Sequence, residues 1–100
     1  MSKKTKIKAV YSYVYTNHLS NGFVRHSHIV YGTKRRAHAA MRKLAKELVR
    51  VKNTSEILKK HCPFEFVEHV SKHEGLSLVI INQQGSPIET ISIESMRLVL

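Results

Sequence analysis

The hydrophobic pattern of this chain changes period twice. From Ile7 onward Val10, Tyr11, Tyr13, Val14 and Tyr15 form a run of strand-forming residues. Leu19-Ser20-Asn21-Gly22 interrupts it, and a second run extends from Phe23 to Tyr31. Asn-Gly is a strong hairpin signal because a type I′ turn needs positive φ at both central residues. The pattern predicts a hairpin turning at Asn21-Gly22, with Tyr15 facing His28, Tyr13 facing Val30 and Asn17 facing His26. Gly32-Thr33 then closes the strand run, and Thr33 is a natural N-cap. From Lys34 to about Val51 the period becomes helical: Ala37, Ala40, Met41, Leu44, Leu48 and Val51 fall on one arc at 100° per residue. Arg35, Arg42, Lys46 and Arg50 fall on the opposite arc, with Arg36 and Lys43 at its edge.

Asn53-Thr54 breaks the helix and can cap a short second one from Ser55 to about His61. Cys62-Pro63 ends that helix, since the residue before proline avoids the α region. Three strand runs follow, Phe64 to Val70, Leu76 to Asn82 and Ile88 to Glu94, separated by turn sequences around Gly75 and Gly85-Ser86-Pro87; in the first, Phe66, Val67 and Val70 also fit a helical face that Gly75 can cap. In the last run Ile88, Thr90, Ser92 and Glu94 point one way, and Glu89, Ile91 and Ile93 the other. The predicted fold is α+β: an N-terminal β-hairpin, a long amphipathic basic helix, a short helix and a C-terminal three-stranded antiparallel meander. Residues 1–100 read as one domain, with 1–6 as a flexible basic arm. The sheet or sheets should cover the apolar face of the long helix.

Charge is divided as sharply as period. Residues 1–52 hold 13 Lys and Arg against one acid, Glu47, a formal +12; residues 53–100 hold 4 basic residues against 6 acids, a formal −2. A field of one sign on one half of a small molecule attracts and orients a polyanion. Ordinary solvated helix faces mix signs so that i,i+4 pairs form, and here the face is almost wholly cationic. Candidate phosphate contacts are Lys3, Lys4, Lys6, Lys8, Arg25, Lys34, Arg35, Arg36, Arg42, Lys43, Lys46 and Arg50. Tyr11, Tyr13 and Tyr15 share one strand face. Turned outward they make a stacking platform for unpaired bases; turned inward they cover the helix and reach the edge with their hydroxyls.

Other chemistry has little to stand on. The chain has no Asp, no Gly-rich phosphate loop and no CxxC pair. Its seven histidines are scattered over different elements, so neither a metal site nor another cofactor is expected. Cys62 reads as a lone core cysteine, which rules out an internal disulfide and suits a reducing compartment. The reading is non-enzymatic. The longest apolar run, Leu78-Val79-Ile80-Ile81, is too short to cross a bilayer and no targeting segment is seen, so the expected location is cytoplasmic, without membrane attachment. The apolar end, Met96-Arg97-Leu98-Val99-Leu100, either docks on the core or offers a protein contact or homodimer seam in the C-terminal half.

From Tyr11 to about Lys52 the layout resembles the ββα arm-type and AP2-like DNA-binding modules of phage integrases. The residues that carry the likeness are Asn21-Gly22, the run Gly32-Thr33-Lys34-Arg35-Arg36-Ala37, and Leu44 and Leu48 along the helix. Two strands precede the helix here, where that family has three. The resemblance implies a sheet face entering the DNA groove with the helix packed behind it, and a phage or mobile-element context. The expected function is nucleic-acid binding, DNA or RNA, through the cationic helix face and the basic arm. The alternative is an accessory protein of phage or mobile-element type that uses the same charge on an acidic protein surface, modulating or inhibiting a host complex that acts on nucleic acid.

Overall fold

Hairpin and meander are two parts of one sheet. The computed structural model describes residues 7–19, 23–54 and 64–99. Within these, β1 (Ile7–Asn17), β2 (Phe23–His26), α1 (Lys34–Lys52), β3 (Glu65–Ser71), β4 (Gly75–Ile81) and β5 (Pro87–Val99) follow in chain order. The strands form a five-stranded antiparallel sheet in the order β2-β1-β5-β4-β3. The joint is the β1–β5 pairing, which runs from Ile7↔Val99 to Asn17↔Glu89 without a break. It absorbs Met96 to Val99, the stretch expected to dock or to form a seam, into the sheet. The predicted short helix from Ser55 to His61, the Cys62-Pro63 stop and the Asn21-Gly22 turn lie outside the described residues.

The helix lies across one face of the sheet. Strand alternation sends Tyr13 and Tyr15 of β1, Ile91 and Ile93 of β5, Leu76 and Leu78 of β4, and Phe66 of β3 to that side. There they pack with Met41, Leu44, Ala45 and Leu48. Ala37, Met41 and Ala45 have no exposed surface, and the two alanines let the helix backbone approach the strands closely. The apolar arc is therefore slightly rotated from the predicted one. Ala45 belongs to its centre, while Val51 is more than half exposed.

Thr33 caps the helix as expected, its hydroxyl accepting the Arg36 amide at 3.2 Å. At the other end Asn53 donates its backbone N–H to Val49 O. Its side-chain amide also exchanges two hydrogen bonds with the backbone of Phe64, which fixes where β3 enters the sheet. The β3–β4 turn uses Ser71 Oγ to accept the amides of His73 and Glu74, and closes at Gly75 with φ +75°.

The hairpin register corrects the expectation. Val14 faces His26, Tyr15 faces Arg25, Thr16 faces Val24 and Asn17 faces Phe23, a shift of three residues from the predicted pairing. An odd shift exchanges the faces of β2. The physical cause is β5. It holds β1 in the sheet out to Asn17, where β2 begins its pairing at Phe23. β2 is also shorter than the predicted Phe23–Tyr31. The Ser27 amide still donates to Tyr13 O; the chain then bulges away and returns at Tyr31, which bridges Tyr11, before the helix.

Candidate nucleic-acid interface

The sequence places eight cations and one acid on α1. Folding the helix onto the sheet separates those cations by role. Arg42 is half-buried and bonds Glu68 of β3, with Nε 2.6 Å from Oε1. That bond holds the Glu68 carboxyl below the usual carboxylate range and raises the Arg42 guanidinium. Arg50 pairs with Glu47, one turn back on the helix. Lys52 leans over the sheet to Glu89, described below. Arg42 and Arg50, both expected to hold phosphates, thus already have carboxylate partners. Arg35, Arg36, Lys43 and Lys46 are exposed, with no ion pair among the described residues. They form a ridge opposite the core, about 16 Å long from Arg35 to Lys46 at 1.5 Å per residue.

At its N-terminal end the ridge meets further charge. The first turn of α1 contains no acid, although a helix N-terminus favours anions and disfavours cations. Lys34, Arg35 and Arg36 stand there nonetheless. The ammonium of Lys8 on β1 lies beside Gly32, two residues before the helix, so the basic start of the chain and the basic start of the helix converge. Beside them an open cleft of about 720 Å³ includes Lys34, His38, Arg42, Lys72 and His73, with one acid, Glu74, in its walls. Burial, reinforced by the charges of Arg42 and Lys34, lowers the pKa of His38 below its ordinary value. Lys3, Lys4 and Lys6 lie outside the described residues.

The tyrosines face the helix. Tyr13 and Tyr15 are half-buried against the core rather than displayed on the open side of the sheet, and Tyr11 lines the cationic cleft. An outward platform is thereby replaced by two ring positions beside the helix. Arg25, exposed on β2, stands directly opposite Tyr15. His26 lies 3.5 Å from Glu94, and His28 sits in the segment after β2. Among the described residues no group of three His, Cys, Asp or Glu side chains is placed to hold a metal ion. No described helix is long and apolar enough to cross a membrane.

One polar group was missed by reading the sequence. Glu89 is only 2% exposed, beneath the C-terminal end of α1. The Tyr15 hydroxyl donates to one carboxylate oxygen and the Lys52 ammonium pairs with the other. Asn17 donates to the same Tyr15 oxygen at 3.3 Å. Burial, and the hydrogen bond to Glu89, push the Tyr15 phenol up to about 12. The signal was present, since Glu89 alternates with Ile91 and Ile93 on the apolar side of β5. The sequence did not show which cation reaches it. Compared with protein-family models, curated proteins and solved structures, the chain matches none.

Proposed function

We propose that this protein binds nucleic acid without catalysis, laying the exposed ridge of α1 along the phosphate backbone. The observation that carries this reading is the sorting of helix cations. Where a carboxylate lies within reach the cation is paired, and Arg35, Arg36, Lys43 and Lys46 on the outer arc of the helix, with Lys34 at its start, are left to solvent. The four cations give the ridge up to four phosphate contacts, each of which releases counterions. Lys34 and Lys8 add charge at the end where the helix dipole also attracts anions. Such contacts position the protein and read no sequence.

The arrangement favours the helix over the sheet as the binding side, unlike the integrase modules that the first half resembles. On the opposite face of the sheet Thr90, Ser92, Glu94 and Glu65 are neutral or acidic, Ser12 is buried and donates to Ile29 O, and Lys8 adds its cation where the chain approaches the helix start. The test is charge reversal. Lys43→Glu with Lys46→Glu should abolish binding of generic DNA and RNA in a gel shift at moderate salt, while Arg42→Ala weakens it only slightly. If the wild-type protein shifts neither polymer but retains one stoichiometric acidic protein from lysate, the ridge serves a protein surface and the nucleic-acid reading is wrong.

A further inference from the structure

The helix's apolar stripe is not covered along its whole width. β2 has four residues, and the chain bulges from β1 between Ser27 and Tyr31; beside it the C-terminal half of α1 borders an open cleft of about 470 Å³. Its floor and walls are Tyr13 and Tyr15 of β1 and Leu44 and Leu48 of the helix, and its lip is Arg25 with residues 26–29. The volume lies within the range of small-molecule sites, and the lining has their usual character, apolar walls with a few polar groups converging at the edge.

The chemistry of the lining narrows the occupant. Tyr13 and Tyr15 are two residues apart on one strand face, so their rings stand side by side. The Tyr15 ring is fixed by its bond to Glu89. The hairpin register puts Arg25 directly across from Tyr15, where opposing Cβ atoms are about 5 Å apart. The cleft lining contains no carboxylate: its cation is Arg25, and His28 also lines it, while the His26 ring is turned to Glu94, 3.5 Å away. Rings and leucines along the walls suit a flat aromatic body, and the Arg25 guanidinium at the lip suits a negative charge attached to it.

We infer that this cleft takes one unpaired nucleotide, its base against Tyr13 and Tyr15 and its phosphate at Arg25. The inference rests on the nucleic-acid reading for its biological setting, yet it concerns different residues from the ridge. It assigns the protein a preference for single strands or for duplexes with an unpaired base. Stacking on an aromatic side chain contributes about 1–3 kcal/mol per base, roughly 5- to 150-fold in affinity.

Two measurements test it. In the first, AMP is titrated into isotope-labelled protein and followed by NMR. The expected shifts fall on Tyr13, Arg25, Ser27, His28, Leu44 and Leu48; shifts confined to the ridge, or none, overturn the inference. In the second, a single-stranded 12-mer and its duplex are compared by fluorescence anisotropy against Tyr13→Leu and Arg25→Gln, after far-UV circular dichroism has shown both variants folded. Both variants should lose at least 5-fold on the single strand and keep their duplex affinity. Unchanged single-strand affinity in both overturns the cleft, even if Lys43→Glu with Lys46→Glu still abolishes binding. Conversely, if AMP fills the cleft and the ridge reversals change nothing, the cleft stands and the ridge reading falls.

Discussion

Removing the Lys52 ammonium should destabilise this protein more than removing the carboxylate it meets. Glu89 is nearly sealed under the helix end, whereas the Lys52 side chain retains 27% of its exposure. In Lys52→Met the carboxylate stays buried with only the Tyr15 hydroxyl for company. Stranding one member of a buried ion pair costs about 3–5 kcal/mol, and the open side of this pair places the expected loss near the lower figure, ~3 kcal/mol. In Glu89→Gln the amide oxygen still accepts from Tyr15, and the freed ammonium can turn to water, so the expected loss is about 1–2 kcal/mol. The double variant removes both charges and should lose about 1–2 kcal/mol, well short of the sum of the singles. The chain has no Trp, so urea unfolding is best followed by far-UV circular dichroism. At this size each kcal/mol shifts Tm by roughly 4–8 °C, and Lys52→Met should lower Tm by more than about 10 °C. Single variants that add without coupling, or Lys52→Met within about 0.5 kcal/mol of wild type, would refute a sealed carboxylate held by the helix end.

Four further outcomes follow from other parts of the structure. Because the Tyr15 phenol is raised in the folded protein, its contribution to stability is complete below pH 10 and is lost as pH rises from 10 towards 12. The loss is at most about 3 kcal/mol, less for a partly exposed ring, and Tyr15→Phe should remove most of it from an alkaline denaturation profile. Thr33→Ala should cost about 1 kcal/mol in urea unfolding by removing the cap on the Arg36 amide. Gly75→Ala should cost about 1–3 kcal/mol, since φ is +75° and a Cβ would sit 2.8 Å from Ile93 Cγ2; a loss below 0.5 kcal/mol would mean that the turn relaxes. Arg42→Ala should weaken nucleic-acid binding less than 3-fold in anisotropy titrations, against more than 10-fold for Lys46→Glu, because Arg42 is committed to Glu68.

Much of this architecture was legible in the sequence. The helix and its Thr33 cap, the three C-terminal strands and the faces of β5 follow from local periodicity, and the structure places them within a few residues of expectation. What was not legible depends on partners distant in sequence. The hairpin register is set by β5, about 75 residues away, and local turn preference at Asn21-Gly22 gives the wrong pairing. For the same reason Arg25 rather than His28 faces Tyr15, and this brings an arginine to the ring-lined cleft. The cationic helix face was visible as composition, but Glu68 lies on a strand that only the fold brings beside Arg42. Sequence reasoning therefore overcounted the free cations, while identifying Arg35, Arg36, Lys43 and Lys46 correctly as charged surface. Glu89 was assigned to the correct strand face, and its burial with Tyr15 and Lys52 emerged only when the helix end was placed above it.

The central claim is that four exposed helix cations meet phosphates, and its most direct measurement is the salt dependence of binding. Neutralising four duplex phosphates predicts a slope of log affinity against log salt near −3.6, about a 100-fold loss of affinity between 50 and 200 mM salt, steeper if the basic residues before β1 join. Lys43→Glu with Lys46→Glu should remove most of that slope together with the binding. A dissociation constant that changes less than about 3-fold over the same range, in the wild-type protein with either DNA or RNA, would contradict the account.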